Sequence, residues 1–191
     1  MRVIAGTARG RGLKAVPGMS TRPTTDKVKE ALFSMIGPFF DGGEALDLFA
    51  GTGGLGIEAL SRGMSRAVFI DMEKKSIDTV LHNLQATGLK EQAEVYRNDA
   101  FRALKALAKR EKRFALVFLD PPYRMKVIAE LLESLESLQL LADDAVIVVE
   151  HDAEDWLEEA AGALRQRRRV AYGDTALTIY ETTREPNVGS E

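Results

Sequence analysis

The chain has 191 residues, 45% hydrophobic and 29% charged, with a formal net charge of −3. That length and balance fit one globular domain with a real core and exclude a disordered or fibrous chain. With no cysteine and two histidines, disulfides, thiolate metal sites and cysteine nucleophiles are excluded and no metal centre is expected; no apolar run nears the ~18 residues of a membrane span and the N-terminus lacks a signal-peptide core, so a cytoplasmic location is expected.

Residues 1–23 are short, basic and rich in Gly and Pro. Val3–Ala5 and Leu13–Val16 are expected to pair as a small β-hairpin arm around a basic loop, Thr7–Gly12. Residues 1–29 hold seven basic side chains against Asp26 alone, whereas residues 130–159 hold eleven acids and no Lys or Arg. Such polarity suits a basic face for a polyanion and an acidic face turned away from it, or simply two solvated surfaces. After Pro23, Thr24 or Thr25 can cap a helix whose apolar stripe is Val28, Ala31, Leu32, Met35 and Ile36. Lys27, Lys29 and Glu30 are placed on its polar side, and Gly37-Pro38 ends it.

Ala45–Gly56, ALDLFAGTGGLG, reads as strand, glycine turn and helix start. Glycines allow close backbone approach to a ligand, and a helix start offers free N–H donors. Gly51-x-Gly53-x-x-Gly56, with Asp71 some 20 residues on, also matches the dinucleotide fingerprint. The pattern then alternates. Strands are expected at Ala45–Phe49, Ala67–Asp71, Ala93–Arg97, Phe114–Leu119 and Ala145–Glu150. Helices are expected at Leu55–Arg62, Glu73–Thr87 (Ile77, Val80, Leu81 and Leu84 inward), Ala100–Arg110, Lys126–Ser137 and Glu154–Leu164. Phe114–Leu119 is continuously apolar, as a central strand should be. Arg168–Tyr172 and Ala176–Thr182, joined by Gly173-Asp174, read as an antiparallel hairpin, and Glu185–Glu191 as a frayed tail. The expected fold is α/β: a doubly wound, mostly parallel, seven-stranded sheet with a C-terminal antiparallel hairpin, plus the basic N-terminal arm. It forms one domain over 1–191: arm to 23, core 24–184, then the tail.

In such sheets ligands bind beyond the carboxyl ends of the strands. Four polar features fall there: the glycine turn, Asp71, Asp99 and Asp120-Pro121-Pro122-Tyr123. Asp71 and Asp99 can each be explained as helix caps; in series the four outline one crevice. The two prolines stiffen the turn and leave carbonyls free to accept. Asp120 and the Pro121 carbonyl can accept the hydrogens of an exocyclic amine, and Tyr123 can stack on its base.

These residues resemble those of class I S-adenosylmethionine-dependent methyltransferases. Asp-Pro-Pro-Tyr is similar to the motif of enzymes that methylate exocyclic amines of nucleic-acid bases. Arg2-Val3-Ile4-Ala5-Gly6 with Arg9-Gly10-Arg11, Arg22-Pro23-Thr24-Thr25-Asp26, Asp47–Gly53 and Asp120–Tyr123 together resemble the bacterial 16S ribosomal RNA guanine-N2 methyltransferase family, of the guanine(966)-N(2) type. The resemblance implies a Rossmann-like methyltransferase fold and in-line methyl transfer to a flipped guanine of 16S rRNA, with S-adenosylmethionine as cofactor and no metal. It implies that Asp47, Gly51 and Gly53 hold the methionine moiety, Asp71 the ribose, and Asp99 with the Ala100 N–H the adenine, while Thr25 and Asp26 close over the methionine end. Glu73 competes with Asp71, which is favoured because it directly follows the apolar run. Arg2, Arg9, Arg11, Lys14 and Arg22 would meet RNA phosphates. The partner is 16S rRNA, free or within a 30S subunit or assembly intermediate, and the chain is expected to be monomeric and away from membranes. Gly56 is left to helix packing, the Arg165–Arg169 run to a solvated sheet edge, and His82 and His151 to structural or surface roles. An adenine-N6 methyltransferase of DNA or RNA shares the same slot, and a nicotinamide-dependent oxidoreductase shares the glycine loop.

Overall fold

The computed structural model describes residues 1–18, 24–122 and 125–183. Chain order after the arm is α1 (Asp26–Ile36), β1 (Glu44–Leu48), α2 (Gly54–Ser61), β2 (Arg66–Asp71), α3 (Lys74–Thr87), β3 (Ala93–Arg97), α4 (Ala100–Lys109), β4 (Phe114–Leu119), α5 (Met125–Ser137), β5 (Leu141–Asp152), β6 (Ala160–Ala161), β7 (Leu164–Tyr172) and β8 (Thr175–Thr182). The strands form one eight-stranded sheet in the order β3-β2-β1-β4-β5-β8-β7-β6. The pairs from β3 to β5 are parallel; β5·β8, β8·β7 and β7·β6 are antiparallel. The doubly wound core and closing hairpin are as expected, with the two-residue β6 as an extra strand.

The central position of β4 explains its unbroken apolar run. Leu116 and Phe118 enter the core beneath α1, α2 and α3, while Val117 and Leu119 enter the core beneath α4 and α5. The chain leaves β1 toward β2 and β3, then returns to β4 on the other side of β1. That reversal splays the loops apart and opens a crevice at the carboxyl ends of β1 and β4. Among the described residues no helix is long and apolar enough to cross a membrane.

Four expectations are corrected. Glu154–Leu164 is not a helix. Arg169 donates to the carbonyls of Ala153 (2.6 Å) and Asp155 (3.1 Å), the Tyr180 hydroxyl donates to that of Glu158 (2.6 Å), and the Gln166 N–H donates to that of Glu159 (2.7 Å). These long-range partners take acceptors that a helix would need, so tertiary contacts override local propensity. The arm pairs through a single antiparallel bridge, Arg2 to Gly12, rather than two strands; backbone bonds such as Val3 N–H to Arg11 and Leu13 N–H to Met1 close it on itself, and side chains of α2 and α3 accept from the Ile4, Ala5, Ala8 and Lys14 N–H groups. That docking also changes two helix faces. Lys29 is buried in α1 rather than solvated: its Nζ donates to the Arg2 carbonyl at 2.6 Å and lies 3.7 Å from Glu58. In α3 the inward face carries Ser76, Thr79, Asn83 and Thr87 beside Val80 and Leu84, while Leu81 is exposed.

Candidate active site

Side-chain alternation builds the site. Phe69, Phe118 and Val148 point into the core beneath α1–α3, and Ile70, Leu119 and Val149 point to the opposite one. The next residues, Asp71, Asp120 and Glu150, therefore return to the first face at the strand ends. Asp47, between Leu46 and Leu48 of the opposite core, joins them. Four adjacent strands thus bring four carboxyl groups to one side of one crevice.

On the β1–β2 side these acids are held by backbone donors. The Gly56 N–H donates to Asp47 Oδ2 at 3.0 Å. Asp71 accepts on both oxygens, from the Gly51 N–H and from the Glu73 N–H, each at 2.9 Å. Asp71 therefore ties the glycine loop to the start of α3 and keeps lone pairs free for a ligand. Glu73 is exposed and makes no side-chain cap bond, so the geometry favours Asp71 over it. Gly51 has a φ of +57°, and a Cβ built there would meet nothing within 4 Å, so the loop presents bare backbone to open space. At Gly56 a Cβ would run into the Phe69 ring, which gives this glycine the packing role expected of it. Asp99 caps α4 by accepting from the Arg102 N–H at 3.0 Å, with the adjacent Ala100 buried.

The β4–β5 side is different. The Asp120 side chain opens toward the crevice, and among the described residues no hydrogen bond reaches its carboxylate. The residue as a whole is solvent-exposed at the mouth of the crevice, but its carboxyl is set among protein atoms; that partial desolvation, then Glu150 and Asp47 nearby, push its pKa up to about 8. Asp47 is also raised to about 8, chiefly by burial, against the Gly56 N–H that favours its charged form. Glu150 is raised by burial, and the hydrogen bond its carboxylate accepts among the described residues, from Thr24 Oγ1 at 3.2 Å, works the other way. Desolvated carboxyls this close resist ionising together, and an incoming cation would relieve them.

Sequence reasoning passed over Glu150 and gave Thr24 a capping role within the Arg22–Asp26 entry rather than a contact with the acid row. The signal for Glu150 was its place one residue past an apolar strand, like Asp71 and Asp120. At the start of α1 the hydroxyl that reaches the acid row is Thr24. Thr25 caps the helix by accepting from the Val28 N–H at 3.3 Å, and Asp26 accepts from the Arg2 N–H at 3.2 Å and pairs with Arg2 Nε at 3.5 Å. In the arm Arg2, Arg9, Arg11 and Lys14 are exposed, and Arg11 donates to the Ala86 carbonyl at 3.1 Å. Pro121 is half-buried after Asp120. The expectations for Tyr123, Arg22 and the tail lie outside the described residues. His82 is exposed, and His151 is held between the Asp152 carbonyl and Thr178 Oγ1. In the arginine run, Arg169 stacks on Trp156 with 3.7 Å from its guanidinium carbon to the ring centre, and Arg167 lies 3.9 Å from Glu181.

The crevice therefore offers an open glycine wall beside a negatively poised floor, a shape and charge suited to an elongated ligand carrying positive charge. The sequence pattern of the family described as "Conserved hypothetical protein 95" matches residues 1–181. The "Putative rRNA methyltransferase YlbH" of Bacillus subtilis is 56% identical over 181 residues, covering 95% of this chain and 98% of that protein. The "Ribosomal RNA small subunit methyltransferase D" of Escherichia coli K12 is 35% identical over 181 residues, covering 95% of this chain and 89% of that protein. Among solved structures, a "Putative methyltransferase yhhF" from Escherichia coli superposes with a TM-score of 0.83 at 34% identity, over 97% of this chain and 99% of that one.

Proposed function

The chain belongs to the Conserved hypothetical protein 95 family, and from that premise we propose that it methylates the exocyclic N2 amine of a guanine in 16S rRNA. It is an S-adenosylmethionine-dependent rRNA methyltransferase with a Rossmann-like fold. The choice of guanine follows the family resemblance; the finer reading of an exocyclic base amine rests on one observation above the others. An under-bonded carboxyl, Asp120, and the Pro121 carbonyl stand at the strand end beside the glycine wall.

The residues present fit the cofactor. The bare Gly51 backbone leaves room for it, Asp71 keeps lone pairs free for ribose hydroxyls, and Asp47, Asp120 and Glu150 favour a positive group between them. S-adenosylmethionine, when bound, supplies a methyl group activated by a sulfonium. Asp47 and the Gly51–Gly53 backbone would hold its methionine end, Asp71 its ribose, and Asp99 with the Ala100 N–H its adenine. Thr25 and Asp26 are assigned to closing the methionine end through the start of α1.

For the acceptor, Asp120 and the Pro121 carbonyl take hydrogen bonds from the amine. A guanine N2 lone pair is delocalised into the ring and is a weak nucleophile. Accepting its N–H bonds returns electron density to nitrogen and orients it, so most of the rate comes from positioning and electrostatics. Asp120 then accepts the proton that the methylated amine releases. The base must leave its stack to reach this slot, where Tyr123 would cover it. Arg2, Arg9, Arg11, Lys14 and Arg22 would engage phosphates around the target.

The test is transfer of radiolabelled methyl to undermethylated small subunits, naked 16S rRNA and DNA, with the modified base mapped. Label in N2-methylguanine of the small-subunit RNA is expected. Label in N6-methyladenine overturns the assignment of the base.

A further inference from the structure

Asn83 is completely buried on α3, between the two parts of the molecule that the proposed function uses. Its Oδ1 accepts from the Lys14 N–H at 2.8 Å. Its amide nitrogen donates to the Lys14 carbonyl at 3.0 Å and to the Thr52 carbonyl at 2.9 Å. Thr52 lies between Gly51 and Gly53, at the centre of the glycine loop. One side chain thus uses its acceptor and both amide hydrogens to hold the end of the arm and the middle of the loop together. The arm also meets this end of α2 directly: a Cβ at Gly54 would lie 3.6 Å from Met1 Sδ and 4.0 Å from Leu13 Cδ1.

Apart from those apolar contacts at Gly54, the arm's other hydrogen bonds do not reach the loop. Glu58 accepts from the Ile4 and Ala5 N–H groups, and Ser61 Oγ donates to the Ala5 carbonyl and accepts from the Ala8 N–H, all further along α2. Asn83 is therefore set apart from them by what it connects. A buried amide with every group satisfied has one good geometry, and moving either partner leaves a buried polar group unpaired.

We propose that Asn83 is a positioning residue that couples rRNA engagement by the arm to the conformation of the cofactor loop. An arm held by RNA fixes Lys14, Lys14 fixes the Asn83 amide, and the amide holds the Thr52 carbonyl so that the neighbouring Gly51 backbone keeps its shape. Coupling of this kind is reciprocal: RNA tightens cofactor binding by the factor by which cofactor tightens RNA binding. The inference rests on the arm and loop roles given above.

The experiment measures S-adenosylhomocysteine affinity by calorimetry, with and without saturating 16S rRNA, on the full chain. In the wild type, rRNA is expected to tighten S-adenosylhomocysteine about 5-fold. Asn83→Ala should weaken it without RNA and bring the ratio with and without RNA to about 1. Asn83→Asp, which keeps the acceptor for the Lys14 N–H but loses both donors, should also lose the ratio, and a cooperative thermal transition establishes that it is folded. Ser61→Ala loosens the far end of the arm; it should weaken RNA binding while leaving S-adenosylhomocysteine affinity and the ratio as in the wild type. A folded Asn83 variant with the wild-type ratio, or a Ser61→Ala protein that loses it equally, overturns the role of Asn83. Wild-type protein that binds S-adenosylhomocysteine but not rRNA overturns instead the RNA reading on which the inference rests.

Discussion

The two walls of the crevice are built from the same residue type to opposite ends. On the β1–β2 side Asp47, Asp71 and Asp99 each accept backbone N–H bonds, four in all. On the β4–β5 side Asp120 receives none among the described residues, and Glu150 receives one, from a hydroxyl. A carboxylate held by backbone donors fixes loop geometry, because moving it strands those donors. A desolvated carboxyl with few partners keeps its demand for hydrogen bonds and positive charge for whatever enters. The first wall is suited to holding a ligand in one pose, and the second to acting on an amine.

Breaking the second wall should have the largest effect. Asp120→Asn keeps the shape but loses the charge, and replaces an acceptor oxygen with a donor facing the amine. Methyl transfer should fall about 100- to 1,000-fold while S-adenosylhomocysteine affinity stays near that of the wild type. The same carboxyl sets the pH dependence. It must be ionised to accept the amine hydrogens, so wild-type kcat/KM, which reports groups of the free enzyme, should rise with pH through about 8. Glu150→Gln removes a neighbouring charge that raises this pKa, so the rise should move to lower pH. A profile that falls over the same range would contradict the role of Asp120.

Breaking the first wall should act on binding instead. Asp71→Asn presents an amide hydrogen to one of the two N–H groups that now donate to the carboxylate. Cofactor affinity should drop roughly 10- to 100-fold, with kcat at saturation little changed. An Asp71→Asn enzyme with normal KM and a collapsed kcat would erase the distinction between the walls.

The difference between the walls also explains what was legible. Strand ends, the glycine loop and the Asp71, Asp99 and Asp120 positions follow from alternation and turn chemistry, which are local. Glu150 was obscured because, although the sequence pattern ends the strand there, no glycine turn or Asp-Pro-Pro-Tyr motif follows it to mark a site, and in the structure β5 runs on to Asp152. Lys29 and Asn83 were obscured for another reason. Both lie on helix faces covered by the arm, whose unpaired backbone demands polar partners, and the apolar-stripe rule assumes an apolar cover. The non-helical path of Glu154–Leu164 depends on Arg169 and Tyr180, which reach it from β7 and β8.

The smallest expected effect separates the charge of the first wall from its geometry. The Asp47 carboxyl is 3% exposed and titrates at about 8, against an ordinary 3.8. Between those values the folded protein keeps a proton that the unfolded chain has released. Stability therefore falls as pH rises through the window, and the full cost is reached above about 8. The substitution Asp47→Asn puts a neutral amide there, whose oxygen can accept the Gly56 N–H at every pH. This variant should thus melt a few degrees above wild type at pH 8, with the gain shrinking toward pH 4. Its affinity for S-adenosylmethionine should fall, because the charge that costs stability is the one that would meet the methionine ammonium. Thermal denaturation at both pH values, paired with calorimetry, checks the two halves together. A melting difference that grows toward acid would mean that Asp47 is ionised throughout and is held, like Asp71, by its backbone donor alone.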